Sequence, residues 1–195
     1  MPNILPLPPS AARMRPSPKM QKLCAWLMAR LGWSMRGQWP DLKKVVVIAA
    51  PHTSAWDVVI GLLVIQASGL QVTFMGKQEA FKWPLGPILR RYGGMPVNRK
   101  APGGVIQQVD ENINASERMW FALAPEGIRR EVKDWITGFW KIAKQADVPV
   151  CCAYFHFPDK VIGVGEVFEL TDDMDADIAR IRAWYKPFQG KKRGA

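Results

Sequence analysis

Val45-Val46-Val47-Ile48-Ala49-Ala50 is an unbroken apolar run, β-branched over its first four residues. A strand with one wet face alternates apolar and polar side chains. A run with no polar position needs cover on both faces, which is the condition of a strand inside a parallel sheet with helices above and below. The segments that follow support that class. Asp57 to Ala67 reads as a helix with Gly69 near its end, Gln71 to Met75 as a strand, and Pro84 to Tyr92 as a short helix opened by proline and stopped by Gly93. Met95 to Asn98 reads as a short strand, Gly104 to Ala115 as a helix, Met119 to Ala124 as a strand and Phe139 to Ala146 as a helix. Val148 to Phe155 and Val161 to Val167 are strands, and Asp173 to Tyr185 is a closing helix whose acidic first turn suits its positive end. Strands alternating with helices predict an α/β fold. It is a single domain, residues 43–188, with a mainly parallel central sheet flanked by helices, plus an N-terminal amphipathic helix.

The ends of the chain read differently. Residues 1–18 hold six prolines, which deny a helix its amide donors, and predict a flexible Pro-rich tail. Residues 19–42 form a basic amphipathic segment. Leu23, Trp26, Leu27, Arg30 and Leu31 recur at helical spacing, with Lys22, Arg30 and Arg36 around them and Trp33 and Trp39 beyond. Residues 189–195, with Lys191-Lys192-Arg193, read as a solvated basic tail. Formal charge is +10, and eight of the 27 Lys and Arg fall in residues 1–44 against one of the 17 acids. That footprint suits an anionic membrane surface, a phosphorylated substrate or nucleic acid. A basic helix carrying Trp can lie in the membrane interface or pack on the domain, and both readings stay open from this segment.

No apolar run approaches the ~20 residues of a membrane span. The longest, Val58 to Ile65, contains Gly61. Prolines stand where the apolar core of a signal peptide would be. Three cysteines, Cys24, Cys151 and Cys152, form no Cys-x-x-Cys pair, and with two histidines they make structural zinc a poor fit. A reduced, cytoplasmic setting is expected.

Three segments carry candidate chemistry. In Pro51-His52-Thr53-Ser54-Ala55-Trp56-Asp57, His52 and Asp57 are five residues apart across the turn from the best strand to a helix. In one continuous helix that spacing separates two side chains by about 140°. Across a turn they can meet, with Asp57 bonding one imidazole nitrogen and the other acting as a base. The plainer alternative is a pair of helix-capping residues. No Gly-x-Ser-x-Gly elbow is present, and Ser54 is placed to cap the helix. A base here can instead act on a hydroxyl brought by the substrate. In Gly93-Gly94-Met95-Pro96-Val97-Asn98-Arg99-Lys100, Arg99 follows a short strand and can grip a phosphate with its planar fork of donors. In Ala124-Pro125-Glu126-Gly127-Ile128-Arg129-Arg130, a strand ends in a turn followed by two arginines, at the sheet edge where α/β folds place their sites.

Together these segments resemble the glycerolipid acyltransferase family, which includes the lysophosphatidic acid acyltransferases. Four blocks occur in the family's order: His52-x4-Asp57, Gly94-x4-Arg99, Pro125-Glu126-Gly127-x-Arg129 and the apolar Val148-Pro149-Val150 strand. The resemblance implies that His52 is the base and Asp57 its orienter. It implies that Arg99 binds the acceptor's phosphate, that Glu126 and Gly127 shape the site for acceptor and thioester, and that Arg129 assists with phosphate. Pro51, Ile128 and Arg130 depart from the residues frequent in the family.

The expected function is transfer of a fatty acyl group from acyl-CoA or acyl-carrier protein to a lysophospholipid hydroxyl, with 1-acylglycerol 3-phosphate as the first-choice acceptor. Neither a metal nor an organic cofactor is expected, since the thioester is a substrate. The expected partners are the lysophospholipid acceptor, acyl-CoA or acyl-carrier protein, and an anionic membrane surface, with the chain peripheral on the inner face of the membrane. Alternatives are another acceptor, such as a lyso-aminolipid, or a non-enzymatic basic module for membrane or nucleic acid. No nucleic acid partner is expected, because no nucleic-acid motif is present and that reading leaves the ordered blocks unexplained.

Overall fold

The computed structural model describes residues 3–14, 17–98, 104–127 and 135–191. The helices among them are α1 (Pro18–Arg30), α2 (Ala55–Ser68), α3 (Leu85–Arg91), α4 (Gly104–Ala115), α5 (Gly138–Gln145) and α6 (Met174–Tyr185). The strands are β1 (Ser34–Gly37), β2 (Lys44–Ala50), β3 (Val72–Lys77), β4 (Gly94–Val97), β5 (Met119–Leu123), β6 (Val150–His156) and β7 (Val161–Phe168). They form one seven-stranded sheet in the order β1-β7-β6-β2-β5-β3-β4.

The apolar run of β2 occupies the middle of this sheet, as its composition requires. Side chains of a strand point alternately to opposite faces. Val45 and Val47 enter a core with Met28 of α1 and Ile60 and Val64 of α2. Val46, Ile48 and Ala50 enter a second core with residues of α4, α5 and α6. Five strands, β6 to β4 in sheet order, run parallel, each reached through a crossover. Only four residues join β6 to β7, too few for a crossover, so β7 turns back antiparallel and β1 follows it in parallel. The expected α/β domain with a mainly parallel sheet is the observed one.

One expectation for the N-terminal part is corrected, and one open question is decided. Residues 3–14 are not a free tail. Ala11 and Ala12 are buried, and Ile4, Leu5 and Leu7 pack on the same core. Main-chain bonds from Met14 to Gly69 and from Gln71 to Ala12 tie this segment to the end of α2. Proline excludes helix here, but it does not prevent packing. For Trp33 and Trp39, where lipid surface and domain packing were both open, the structure takes the second. Both are buried, at 6% and 7% exposure. Trp33 packs edge-on against Phe157 and Trp39 against Trp120. The face of α1 that meets the domain carries Cys24 and Met28, whereas Met20, Leu23 and Trp26 stand exposed on its outer side.

Candidate active site

β2 and β5 are neighbours in register, with Val46 opposite Phe121 and Ile48 opposite Leu123. Their carboxyl ends therefore bring two sequence-distant turns together, 51–54 after β2 and 124–127 after β5. Carboxyl ends of parallel strands are where α/β folds build sites.

The first turn begins with a cis Ala50–Pro51 bond and leads into α2. Ser54 is the N-cap: its Oγ accepts from the Trp56 N–H at 3.2 Å, and the Ser54 N–H donates to Asp57 Oδ2 at 2.7 Å. This reciprocal capping box satisfies helix donors that would otherwise be orphaned. The same Asp57 Oδ2 lies 3.4 Å from His52 Nδ1. The helix cap and the approach to the imidazole thus coexist, because one carboxylate oxygen makes both contacts. Asp57's side chain has no solvent exposure, while that of His52 keeps 18%. A buried acceptor cannot swing away, so the imidazole is presented with Nδ1 toward Asp57. At 3.4 Å the contact lies at the long end of the hydrogen-bond range.

The second turn supplies Glu126. Its Oε2 accepts the His52 main-chain N–H at 2.6 Å. Gly127 adopts φ +68°, the left-handed region that disfavours a side chain, and a Cβ there would run into Ile136. The Gly127 N–H closes the turn on Ala124 O at 3.1 Å. The structure therefore brings His52, Asp57, Glu126 and Gly127 to one place. Arg99 and Arg129, with Lys100, Ile128 and Arg130, lie outside the described residues. The chain approaches Arg99 along edge strand β4, and Asn98 at its end is held by Gln108 of α4: its N–H donates to Oε1 at 3.1 Å and its carbonyl accepts from Nε2 at 2.8 Å.

A family model for acyltransferases matches residues 23–156, more than two-thirds of the chain. The chain belongs to the acyltransferase family. The resemblance drawn from the four blocks is borne out by that match, whose span includes every one of them. The acyltransferase fold is similar to that of the 1-acyl-sn-glycerophosphate acyltransferase PlsC of Thermotoga maritima, with TM-score 0.58 and 14% identity. That similarity covers 86% of this chain and 79% of the other. No curated protein matches the chain in sequence.

Around the acyltransferase turns are groups the sequence did not point to. Tyr185, at the end of α6, is buried beneath the site, its hydroxyl 2.7 Å from Ile48 O and 2.9 Å from Ala153 O. Burial, with lesser contributions from Cys152, Cys151 and Glu126, holds it well above the ordinary tyrosine range, so it is a neutral donor. It locks the ends of β2 and β6 together. Cys151 and Cys152 are pushed up to about 12 by burial and stay protonated, which removes them as nucleophiles. On the α1 side of α2 lies a groove of about 220 Å³, walled by Trp33, Trp56, Ile60 and Phe157 and edged by Lys160 and Lys191. Lys191 was expected in a solvated tail. Its ammonium instead sits 4.9 Å from the centre of the Trp56 ring. No sequence signal distinguishes this contact, because the partners are 135 residues apart and Lys191 belongs to no motif.

Proposed function

We propose that this chain is an O-acyltransferase that moves a fatty acyl group from a thioester, acyl-CoA or acyl-carrier protein, to the free hydroxyl of a lysophospholipid, with 1-acylglycerol 3-phosphate as first-choice acceptor. The observation that carries the reading is the 3.4 Å approach of His52 Nδ1 to Asp57 Oδ2, at the carboxyl end of the central strand of an acyltransferase-family domain.

In the proposed reaction, His52 Nε2 takes the acceptor's hydroxyl proton as the oxygen attacks the thioester carbonyl. A C–O bond forms and the C–S bond breaks. The proton passes from the imidazolium to the departing thiolate. Asp57 stabilises the imidazolium between these events, as the third member of a triad does. Glu126 keeps the His52 main chain in place, and main-chain donors of the Gly127 turn are candidates to stabilise the oxyanion. Arg99, assisted by Arg129, is the proposed partner of the acceptor's phosphate, in keeping with the family blocks. The groove beside α2 suits substrate hydrocarbon, since its walls are apolar and its edge is cationic. No metal or organic cofactor enters this chemistry.

Membrane attachment is part of the proposal, peripheral and on the cytoplasmic face. Among the described residues no helix is long and apolar enough to cross a bilayer. Met20, Leu23 and Trp26 of α1, together with Trp56, Val58 and Val59 of α2, give an exposed apolar surface on two helices that pack together. Lys19, Lys22 and Arg30 are exposed on α1 and suit anionic headgroups. A mass-spectrometric screen of acyl-CoA and acyl-carrier-protein donors against lysophosphatidate, other lysophospholipids and lyso-aminolipids tests the reading. A product formed by the wild type and lost in His52→Ala supports it. Transfer only to a lyso-aminolipid would move the acceptor assignment while keeping the chemistry.

A further inference from the structure

We propose that the C-terminal strap, residues 186–191, positions the catalytic turn, and that Gly190 is the contact through which it does so. The inference rests on His52 being the base, and its test separates the two.

Beyond α6 the chain folds back across the carboxyl edge of the sheet. Phe188 lies flat on Tyr154, with ring centres 3.8 Å apart and planes 14° apart. Gln189 is fixed on both sides: its N–H donates to His156 Nδ1 at 3.1 Å, and its carbonyl accepts from the Phe157 N–H at 2.9 Å. These bonds set Gly190 directly on Thr53. A Cβ added at position 190 would overlap Thr53 Oγ1 and come within 2.7 Å of its Cγ2. Lys191 then reaches over the Trp56 ring. Thr53 and Trp56 are both inside the segment that joins His52 to Asp57, and Thr53 is buried. The strap thus clasps the turn between base and orienter. Gly190 is not in the left-handed region, so the site demands its small size rather than its backbone freedom. A side chain at 190 must either push Thr53 or lift the strap away. Each outcome disturbs the His52–Asp57 geometry, and a displacement of about 1 Å can cost on the order of 100-fold in rate.

The test compares wild type, Gly190→Ala, Gly190→Val, a chain ending at Phe188, and Gly190→Val combined with Thr53→Ala. Turnover is measured with palmitoyl-CoA and 1-acylglycerol 3-phosphate. The imidazole ¹H–¹⁵N spectrum is recorded in parallel. The chain has two histidines, so His52 reports the turn and His156 reports seating of the strap. The expected result for Gly190→Val is a kcat reduced about 10- to 100-fold and shifted His52 ring signals in a folded protein. The added Thr53→Ala should recover much of the lost kcat by making room, a coupling that a double-mutant cycle reads directly. If valine prevents folding, the alanine variant and the shortened chain carry the same readouts. Wild-type kcat and unmoved His52 signals in Gly190→Val and in the shortened chain would overturn the proposal. So would a lowered melting temperature with full turnover per folded molecule, which is a structural role only. His52→Ala is run alongside: full activity there defeats the assignment of the base, and the His52 ring signals then decide the strap's effect on the turn.

Discussion

The main-chain N–H of His52 donates to the Glu126 carboxylate across 2.6 Å, although the two residues are 74 positions apart. The contact follows from the pairing of β2 with β5, which ends both strands at the same edge. Glu126 acts on the His52 backbone, so it sets where the imidazole is carried.

Glu126→Ala leaves that half-buried N–H without the acceptor. Loss of a buried partner costs about 1–3 kcal/mol, with charged acceptors at the upper end. The expected outcome is a loss of stability of about 2 kcal/mol in urea unfolding together with a reduced kcat. Glu126→Gln keeps an acceptor oxygen and should lose less of both. An alanine variant as stable and as active as wild type would show that the contact has no consequence.

Arg99→Ala should weaken use of a phosphate-bearing acceptor and leave the acyl donor alone. A lost charge-assisted contact is worth about 1.5–3 kcal/mol, or roughly a tenfold to hundredfold rise in acceptor KM. Initial-rate kinetics with each substrate varied in turn makes the comparison. A rise confined to donor KM would assign Arg99 to the donor.

For membrane attachment the informative variant is Leu23→Ser with Trp26→Ser. Trp26 is 56% exposed, so the change leaves the core intact, whereas replacing Trp33 would open it. Flotation with anionic liposomes should fall several-fold. Residual binding should be salt-sensitive, since each basic residue at the surface contributes about 1 kcal/mol that salt screens. Trp83, 87% exposed just beyond the carboxyl end of β3, is the comparison site. Loss of flotation in Trp83→Ser alone would move the anchor there.

Asp177 provides a pH test of the fold. Burial alone would raise its carboxyl, but bonds from Trp140 Nε1 at 3.0 Å and Thr171 N–H at 2.8 Å, with Arg180 at 2.9 Å, outweigh it and hold the group below the usual range. A carboxyl lower in the folded than in the unfolded chain stabilises fully above the unfolded value, near about 4. That stabilisation disappears as pH falls through the folded value. Asp177→Asn should therefore lower the melting temperature at pH 7, and the gap to wild type should narrow as pH falls below about 4. A gap independent of pH would contradict the linkage.

The sequence and the structure agree most closely where one residue pattern has one physical solution. The apolar run of β2 had to be central, and the helix expected over Gly104 to Ala115 is α4 to the residue. Ser54 caps α2 as its chemistry suggested, and His52 meets Asp57 across the turn. What escaped notice depends on partners far along the chain. β1 is Ser-Met-Arg-Gly, with no β-branched residue, and exists by pairing with β7. Trp33 and Trp39 are as compatible with a lipid surface as with a core, and only the positions of Phe157 and Trp120 decide for the core. Gly190 reads as part of a loose basic end until Gln189 is seen bonded to Phe157 and His156.

The central claim is that His52, oriented by Asp57, is the general base of an acyl transfer. The most direct measurement is the single-turnover rate of acyl transfer from palmitoyl-CoA to 1-acylglycerol 3-phosphate by His52→Ala, with folding checked by circular dichroism. General-base catalysis is worth roughly 10²–10⁴-fold, so the variant should be slower by at least about 100-fold, with its fold and donor binding retained. A folded His52→Ala protein that transfers the acyl group within a few-fold of the wild-type rate would contradict the mechanism.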